Sequence, residues 1–322
     1  MRILVYLEKA AVRGGIEVFA ERHAVRLRAE GHEVDIAEDC RPIDFSLFDE
    51  IIVHKCTDIA VLERFPPEKT TYYVHDHEPI CPRGYAYTPL KRNCSCPGGI
   101  WPCLFCAPLC RSWRAALVRV FSQGRRKRAM KRFKKVVVIS GFMKSRLVAN
   151  GIPSEKIAVV PPEIINLQPE TRNSKPETRD TELPTNGIDL LYVGQLIRGK
   201  GVQLLLEAMA RMKMPRTLDV VGTGNMEGEL KAQAARLGLA SRVRWRGFQE
   251  NPQAWMQTAK CVVVPSFWQE PYGLVAAEAV ALGKKVVAFA IGGLPEACGG
   301  KATLVPPGDV AALALALDGG QS

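Results

Sequence analysis

The sequence predicts an α/β protein made of two Rossmann-like domains. Three observations lead there. The chain has 322 residues, more than one hydrophobic core usually serves. Short β-branched runs alternate with stretches of helix length, which is the pattern of strand, crossover helix, strand. A polar stretch without periodicity, Gln168 to Gly187, separates two such series. The expected division is a first domain over residues 1–165, a linker over 166–187 and a second domain over 188–322.

Composition narrows the class. Apolar residues make up 47% of the chain, as in ordinary globular proteins. No run approaches the roughly 18 apolar residues that a membrane span needs. The first residues, MRILVYLEKA, place Glu8 and Lys9 where a signal peptide needs an apolar core. A cytoplasmic protein is therefore expected. The net charge of +11 suits an anionic partner: nucleic acid, an anionic membrane surface or an anionic substrate.

In the first domain, Arg2 to Leu7 reads as a strand. Gly14 and Gly15 follow in a turn that can bring backbone N–H groups to a phosphate. Val18, Phe19, Ala24, Val25 and Leu27 mark an amphipathic helix from about Ile16 to Glu30, and Gly31 stops it. Glu33 to Ala37, Glu50 to His54 and Thr71 to Val74 are further strands. The last runs into HDHEPICPRG. Ligands of open α/β sheets sit beyond the carboxyl ends of strands, so His75, Asp76 and His77 are well placed. His75 is the catalytic candidate of this domain; a loop hydrogen-bond pair is the plainer reading.

Residues 81–110 form a cysteine-rich insertion holding six of the ten cysteines: Cys81, Cys94, Cys96, Cys103, Cys106 and Cys110. In a chain of this size, thiols or a metal site are expected rather than a disulfide framework. Four thiolates drawn from Cys94, Cys96, Cys103, Cys106 and Cys110 would suit a structural Zn2+. Cys103-x-x-Cys106 with Cys110 could instead hold an iron–sulfur cluster, and a loop of reduced thiols is the plainer reading. The spacing is not that of a standard zinc ribbon.

Arg111 to Lys135 holds eleven Lys or Arg and no Asp or Glu. Trp113, Leu117, Val120 and Phe121 fall at helical spacing. Such a segment suits an anionic lipid surface. A solvated helix face with its stripe in the core fits equally well. Nucleic acid is disfavoured, because stacking aromatics and a recognisable module are missing. A strand from Lys135 to Ile139 and a helix capped by Ser140 complete the series.

In the second domain, Asp189 to Val193 is a strand, and a glycine loop with Arg198 and Lys200 leads into a helix from Gly201. Cations there can neutralise a diphosphate. Gly222 and Gly224 form the turn after the next strand, and RVRWRGFQE gives another strand and loop. The most informative stretch is CVVVPSFWQEPYGLVAAEAVALGKKVVAFAIGG, Cys261 to Gly293. It reads as strand, loop, alanine-rich helix, strand, with Gly273 opening the helix and Gly283 ending it. Free N–H groups at the helix front, at Gly273 and Leu274, favour a phosphate. Glu270 and Glu278 flank that point and can each accept from paired sugar hydroxyls. A nucleotide sugar has that layout.

On these residues the chain resembles the retaining GT-B glycosyltransferases, family 4 in particular. EPYGLVAAE is similar to the family's Glu-x7-Glu signature. GG-x-E before the first helix, GHEV after it, KG at Lys200, GG-x-PE at Gly292 to Glu296 and LVPPGD at Leu304 to Asp309 extend the resemblance across both domains. It implies two Rossmann-like domains facing across a cleft, and transfer of a sugar from a nucleotide-sugar donor with retention. In that family the first Glu, here Glu270, holds the sugar, and the second, Glu278, holds the ribose. Lys200 binds the diphosphate. Gln195 stands where the family has Arg, so Arg198 becomes the stand-in. A histidine near the reacting sugar corresponds to His75, and the segment at RVRWRGFQE lies near the nucleobase.

No cofactor is implied for catalysis. A UDP-sugar is the favoured donor, and an envelope glycan or lipid-linked sugar is the expected acceptor, reached at the inner face of the membrane. HD…CPRG followed by clustered cysteines resembles a subset of the family, in which a structural role for the thiols is implied. The chain ends soon after Asp309, where the family has a longer tail, so a truncation is expected. Two rivals stand beside this reading: a GT-B nucleotide-sugar 2-epimerase, and a metal- or nucleic-acid-binding protein without catalysis.

Overall fold

The computed structural model describes residues 1–8, 15–38, 43–81, 94, 113–162 and 187–319. The chain divides into two compact units, Met1–Pro162 and Glu163–Ser322. The expected linker over 166–187 falls almost wholly outside the described residues.

The first unit runs β1 (Arg2–Leu7), α1 (Gly15–Ala29), β2 (Glu33–Ala37), β3 (Glu50–Lys55), α2 (Ile59–Leu62), β4 (Thr70–Val74), α3 (Trp113–Arg132), β5 (Lys135–Val138), α4 (Gly141–Ala149) and β6 (Ile157–Val159). Its strands form one sheet in the order β2-β1-β3-β4-β5-β6, and every pairing is parallel. A parallel sheet needs cover on both faces, and alternation along each strand supplies it. Leu4, Tyr6, Ile51 and Val53 pack with α2, α3 and α4. Ile3, Val5 and Ile52 face the other way, onto Ala24 and Leu27 of α1. Ser140 caps α4 as expected, its Oγ accepting from Met143 N at 3.1 Å.

The basic helix α3 does not have one uniform face. Val120, Ala129 and Met130 are buried, while Phe121 is 61% exposed. The stripe read from Trp113, Leu117, Val120 and Phe121 is therefore split between two environments, with the side chains of Trp113 and Leu117 outside the described residues. A residue shift of one turns a helical side chain through about 100°, and that rotation separates Val120 from Phe121. One arginine is no surface charge. Arg126 is buried, donating to Thr57 O at 2.6 Å and to Glu78 Oε1 at 3.2 Å. No helix among the described residues is long and apolar enough to cross a membrane.

The second unit runs β7 (Ile188–Val193), α5 (Val202–Arg211), β8 (Leu218–Val221), α6 (Glu227–Arg236), β9 (Val243–Gly247), α7 (Pro252–Thr258), β10 (Ala259–Val264), α8 (Leu274–Ala281), β11 (Lys285–Phe289), α9 (Leu294–Cys298), β12 (Thr303–Val305) and α10 (Val310–Asp318). The sheet order is β12-β11-β10-β7-β8-β9, again all parallel. On β11, Val287 and Phe289 join α5, α6 and α10, while Val286 and Ala288 join α7, α8 and α9.

Strand order locates the sites. In the first sheet the chain leaves β1 for β2 on one side and returns to β3 on the other. In the second it runs from β7 out to β9, then returns to β10 on the far side of β7. These reversals, between β1 and β3 and between β10 and β7, open crevices at the carboxyl ends of the strands where ligands of open α/β sheets bind.

Candidate functional site

The second unit's reversal point brings two distant loops together. The loop after β7 makes a tight turn over Arg198–Lys200. Phe267 N and Trp268 N, from the loop after β10, both donate to Gly199 O, at 3.1 and 3.3 Å. A side chain at Gly199 would begin 3.0 Å from the Trp268 ring. This stitching lays Lys200 across the loop that carries Glu270.

Lys200 Nζ donates to Glu270 Oε1 at 2.6 Å. The same oxygen accepts from Ser266 Oγ at 2.7 Å and from Trp268 Nε1 at 2.8 Å. Lys200 Nζ also lies 5.2 Å from the centroid of the Trp268 ring, within cation–π range. Burial pushes the Glu270 carboxyl upward, but the Lys200 charge and the bonds from Lys200, Trp268 and Ser266 outweigh it, so its pKa lies below the usual value. Glu270 is thus a buried, ionised carboxylate. Its other oxygen, Oε2, accepts no hydrogen bond among the described residues.

Glu270 sits just before α8. Gly273 precedes the helix at φ 117°, ψ 60° and provides no side-chain cap. The N–H groups of the first turn are thereby left for a ligand or water. A Cβ on Gly273 would lie 2.5 Å from Leu294 Cδ2. Packing against α9, together with positive φ, therefore demands glycine here, and close approach of a phosphate is not the only reason for it. Leu274 is 37% exposed at the helix front. Glu278 stands one turn inside α8, half-buried. The backbone of this loop is pinned from the other side by Gly293 N, which donates to Glu270 O at 2.7 Å.

Gly222 works in a similar way. Its φ is 133°, and a Cβ there would collide with the carbonyl of Gly194 in the loop after β7. Two glycine loops cross backbone on backbone at the end of the sheet. Arg198 is not drawn into the Lys200–Glu270 network. It is exposed, and its guanidinium makes no hydrogen bond or ion pair among the described residues. Gln195 is also exposed, and its carbonyl accepts from Tyr192 Oη at 2.8 Å.

In the first unit, Gly15 is the first residue of α1 rather than a loop residue. Glu8 bonds Thr57 across the reversal point through both Thr57 Oγ1, at 2.5 Å, and Thr57 N. His75 lies just beyond β4, and its Nε2 is 2.9 Å from His54 Nδ1. Burial among neighbouring imidazoles pushes its pKa down to about 3, so the ring is neutral. Its neighbour Asp76 is pushed up to about 6 by burial. The expected loop pair of His75 with Asp76 is not what forms: His75 turns to His54, and Asp76 Oδ1 accepts from Glu78 N at 2.8 Å.

Of the cysteines read as metal ligands, Cys94 is described, while Cys96, Cys103, Cys106 and Cys110 lie outside the described residues. Among the described residues no group of three His, Cys, Asp or Glu converges on a metal position. Sequence reading missed Ser266 and Trp268, which hold Glu270, and His54, which holds His75. The first two stand four and two residues before Glu270, so proximity was the available signal.

The decisive observation is that Glu270, Lys200 and the open front of α8 meet at the switch point of an α/β sheet. Residues 187–319 match the glycosyl transferases group 1 family. Curated relatives agree over this half. The glycogen synthase of Mycobacterium tuberculosis is 36% identical over 140 residues, 41% of this chain and 34% of that protein. The D-inositol 3-phosphate glycosyltransferase 1 of Catenulispora acidiphila is 37% identical over 129 residues, 36% of this chain and 31% of that protein. The chain thus spans about a third of the length of the curated relatives it matches.

Whole-chain similarity is structural. Anabaena Alr3699/HepE, solved with UDP-glucose, aligns at a TM-score of 0.64 and 18% identity, covering 98% of this chain and 89% of that one. WaaG, a glycosyltransferase involved in lipopolysaccharide biosynthesis, aligns at 0.63 and 18%, covering 98% and 90%. The fold is that of the GT-B glycosyltransferases, two α/β units each with its own parallel sheet.

Proposed function

We propose that the chain transfers a sugar from a nucleotide-sugar donor to an envelope glycan or lipid-linked acceptor, with retention of anomeric configuration. The observation that carries this reading is the 2.6 Å contact of Lys200 with Glu270 at the uncapped front of α8. A lysine has three N–H donors, so Lys200 can keep Glu270 and add a phosphate oxygen. As the glycosidic bond to the diphosphate breaks, negative charge grows on the leaving group. Lys200, Arg198 and the N–H groups at Gly273 and Leu274 stabilise that charge without a required metal ion. The exposure of Arg198 leaves its guanidinium available for the second phosphate.

Glu270 Oε2 accepts from a hydroxyl of the transferred sugar, while Ser266 and Trp268 keep Oε1 in place. Glu278 accepts from the ribose. Gly222 gives the loop after β8 its close fit beside the donor. Within the first unit, His75 and the N–H of Gly15 are the candidate groups for the reaction. A UDP-sugar is the favoured donor, supported by neighbours solved with UDP and UDP-glucose.

The basic helix sets the location. Phe121 is exposed on it along with Arg125, Arg128, Lys131 and Arg132. That combination supports docking at an anionic, cytoplasmic membrane face, where a lipid-linked acceptor would be met. A structural Zn2+ held by four of Cys94, Cys96, Cys103, Cys106 and Cys110 would brace the insertion.

Thermal unfolding with UDP-, GDP- and ADP-sugars tests the donor. A ligand of the native state at one hundred times its Kd stabilises by about 2.7 kcal/mol. A UDP-sugar is expected to raise the melting temperature most; no response to any of the three would refute the reading. Glu270→Ala should abolish transfer in a protein that still folds.

A further inference from the structure

Three histidines far apart in sequence meet at the carboxyl ends of β3 and β4. His23 comes from α1, His54 from β3 and His75 from just beyond β4. His23 Nδ1 lies 3.1 Å from His54 Nε2, and His54 Nδ1 lies 2.9 Å from His75 Nε2. The ring centroids are 5.2 Å apart in each pair. The nitrogens therefore lie between the rings, and both contacts are edge-on hydrogen bonds rather than face stacking. His54 uses one nitrogen for each neighbour, so the three rings make a line and do not converge on a metal position. Phe19 and Tyr73 wall the line, with Phe19 5.6 Å from His54 and Tyr73 4.7 Å from it, centroid to centroid. His23 and His54 are 7% and 2% exposed.

Counting protons restricts the line. A neutral imidazole has one N–H and one lone pair, and each N···N contact needs one proton. If His54 has its proton on Nε2, it donates to His23 Nδ1, which puts the proton of His23 on Nε2. His54 Nδ1 must then accept, so His75 also has its proton on Nε2. If His54 is instead protonated on Nδ1, the same argument puts all three protons on Nδ1. Mixed arrangements leave a contact with two protons or with none. The burial of His54 and His75 opposes double protonation of those two rings near neutral pH.

We infer that His54 and His23 are positioning residues for His75: a single-file chain of imidazoles that holds one tautomer from end to end. The chain fixes whether the outward Nδ1 of His75 offers a lone pair or an N–H. That nitrogen has no hydrogen-bond partner among the described residues. The functional part of the inference rests on the reading of His75 as a candidate group for the reaction. Passage between the two states needs no ring to move. A proton enters at His75 Nδ1, one crosses each N···N contact, and one leaves at His23 Nε2.

The test uses the full chain labelled with 15N at histidine. Long-range 1H–15N spectra at pH 7 report the tautomer of each ring. The expected result is one shared tautomer for His23, His54 and His75. Opposite tautomers at His54 and His75 in the unmodified protein would overturn the inference without any variant. Two substitutions extend it. Asn at position 54 keeps an amide where Nδ1 was, whereas Leu removes it. His54→Leu should leave His75 as a mixture of tautomers and lower kcat on the order of tenfold with donor KM unchanged, and His54→Asn should restore most of that loss. Equal rates for both variants and the unmodified protein would overturn the positioning role. His75→Ala that transfers at the full rate would remove the functional reading of His75, while the unmodified protein would still show the shared tautomer.

Discussion

The two reversal points solve the same problem by different means. In the second unit, loops are held by backbone meeting backbone, and glycines make the room. Gly222 faces the Gly194 carbonyl, and Gly199 accepts from the loop of Phe267 and Trp268. One ion pair, Lys200–Glu270, stands on that frame. In the first unit the equivalent ends are tied by side chains: Glu8 to Thr57, Arg126 to Thr57 and Glu78, and histidine to histidine. A frame of glycines tolerates no added atom. A frame of side chains can be re-made, and it titrates.

That contrast is broken most severely by Gly222→Ala. The new Cβ would collide with the Gly194 carbonyl at a φ that side chains rarely adopt. The expected cost is on the order of 4 kcal/mol, combining strain and overpacking. Urea denaturation followed by tryptophan fluorescence should show the second unit losing that stability. A variant with the original midpoint would show that the loops do not lock as described.

Lys200→Met is expected to do less to the fold. It leaves a buried carboxylate with Ser266 and Trp268 as its remaining donors. Removing one partner of a buried pair costs about 3 kcal/mol or more, and two surviving hydrogen bonds bring the expectation to about 2 kcal/mol. The pH dependence identifies the cause. The lowered Glu270 pKa contributes stability above the ordinary carboxylate range and loses it as pH falls. In Lys200→Met that contribution is gone, so the gap between variant and parent should be widest at pH 7 and shrink toward pH 4. A gap independent of pH would point to lost packing on Trp268 instead.

The same contrast explains what could be read from the sequence. Glycines and the Glu270–Glu278 spacing are local signals, lying within one loop or one turn of the group they serve. The second unit's strands, Lys285–Phe289 among them, and the helix front at Gly273 were legible for that reason. His23 and His54 gave no such signal. Each reads as an ordinary residue of a helix or strand; the parallel pairing of β3 with β4 brings His54 near His75, and α1 brings His23 to His54. Ser266 and Trp268 were near at hand but carry no distinctive spacing. The division of α3, with Val120 inward and Arg126 buried, depends on partners from the loops after β3 and β4 that a helical wheel does not contain.

Acid should find the first unit before the second. His54 and His75 have lowered pKa values, His75 about 3, because burial and neighbouring imidazoles oppose their charge. Above the ordinary histidine value both states are neutral and nothing is lost. Below it the unfolded chain takes protons that the folded one refuses, so stability falls from about pH 6.5 downward. Asp76 acts the other way. Its pKa is raised to about 6, so folding gains as pH drops through that value toward the ordinary one. The nearby charges of Lys55, Glu78 and Arg126 act on Asp76, and Lys55 is itself paired with Glu17 at 3.8 Å. Two histidines against one aspartate leave a net loss of stability between pH 6.5 and 4. In Asp76→Asn the opposing gain disappears, so the acid loss should steepen. Hydrogen exchange resolved by unit would show it, and uniform loss across both units would contradict the assignment to the imidazole line.

The smallest effect comes from a glycine that locks nothing. Gly124 lies in the interior of α3, and a Cβ there would meet no atom within 4 Å. Its backbone is helical, so alanine fits without strain. Glycine in a helix interior is less favourable than alanine by about 0.5–1 kcal/mol, through the freedom it has in the unfolded chain. Gly124→Ala should therefore stabilise the first unit by about that amount, a rise of a few degrees in its melting temperature. The same substitution thus has opposite signs at positions 124 and 222, and the sign follows from what faces the missing Cβ. Destabilisation by Gly124→Ala would mean that α3 needs a close approach at this point, and the description of the first unit as a frame held by side chains would have to include a backbone contact on α3.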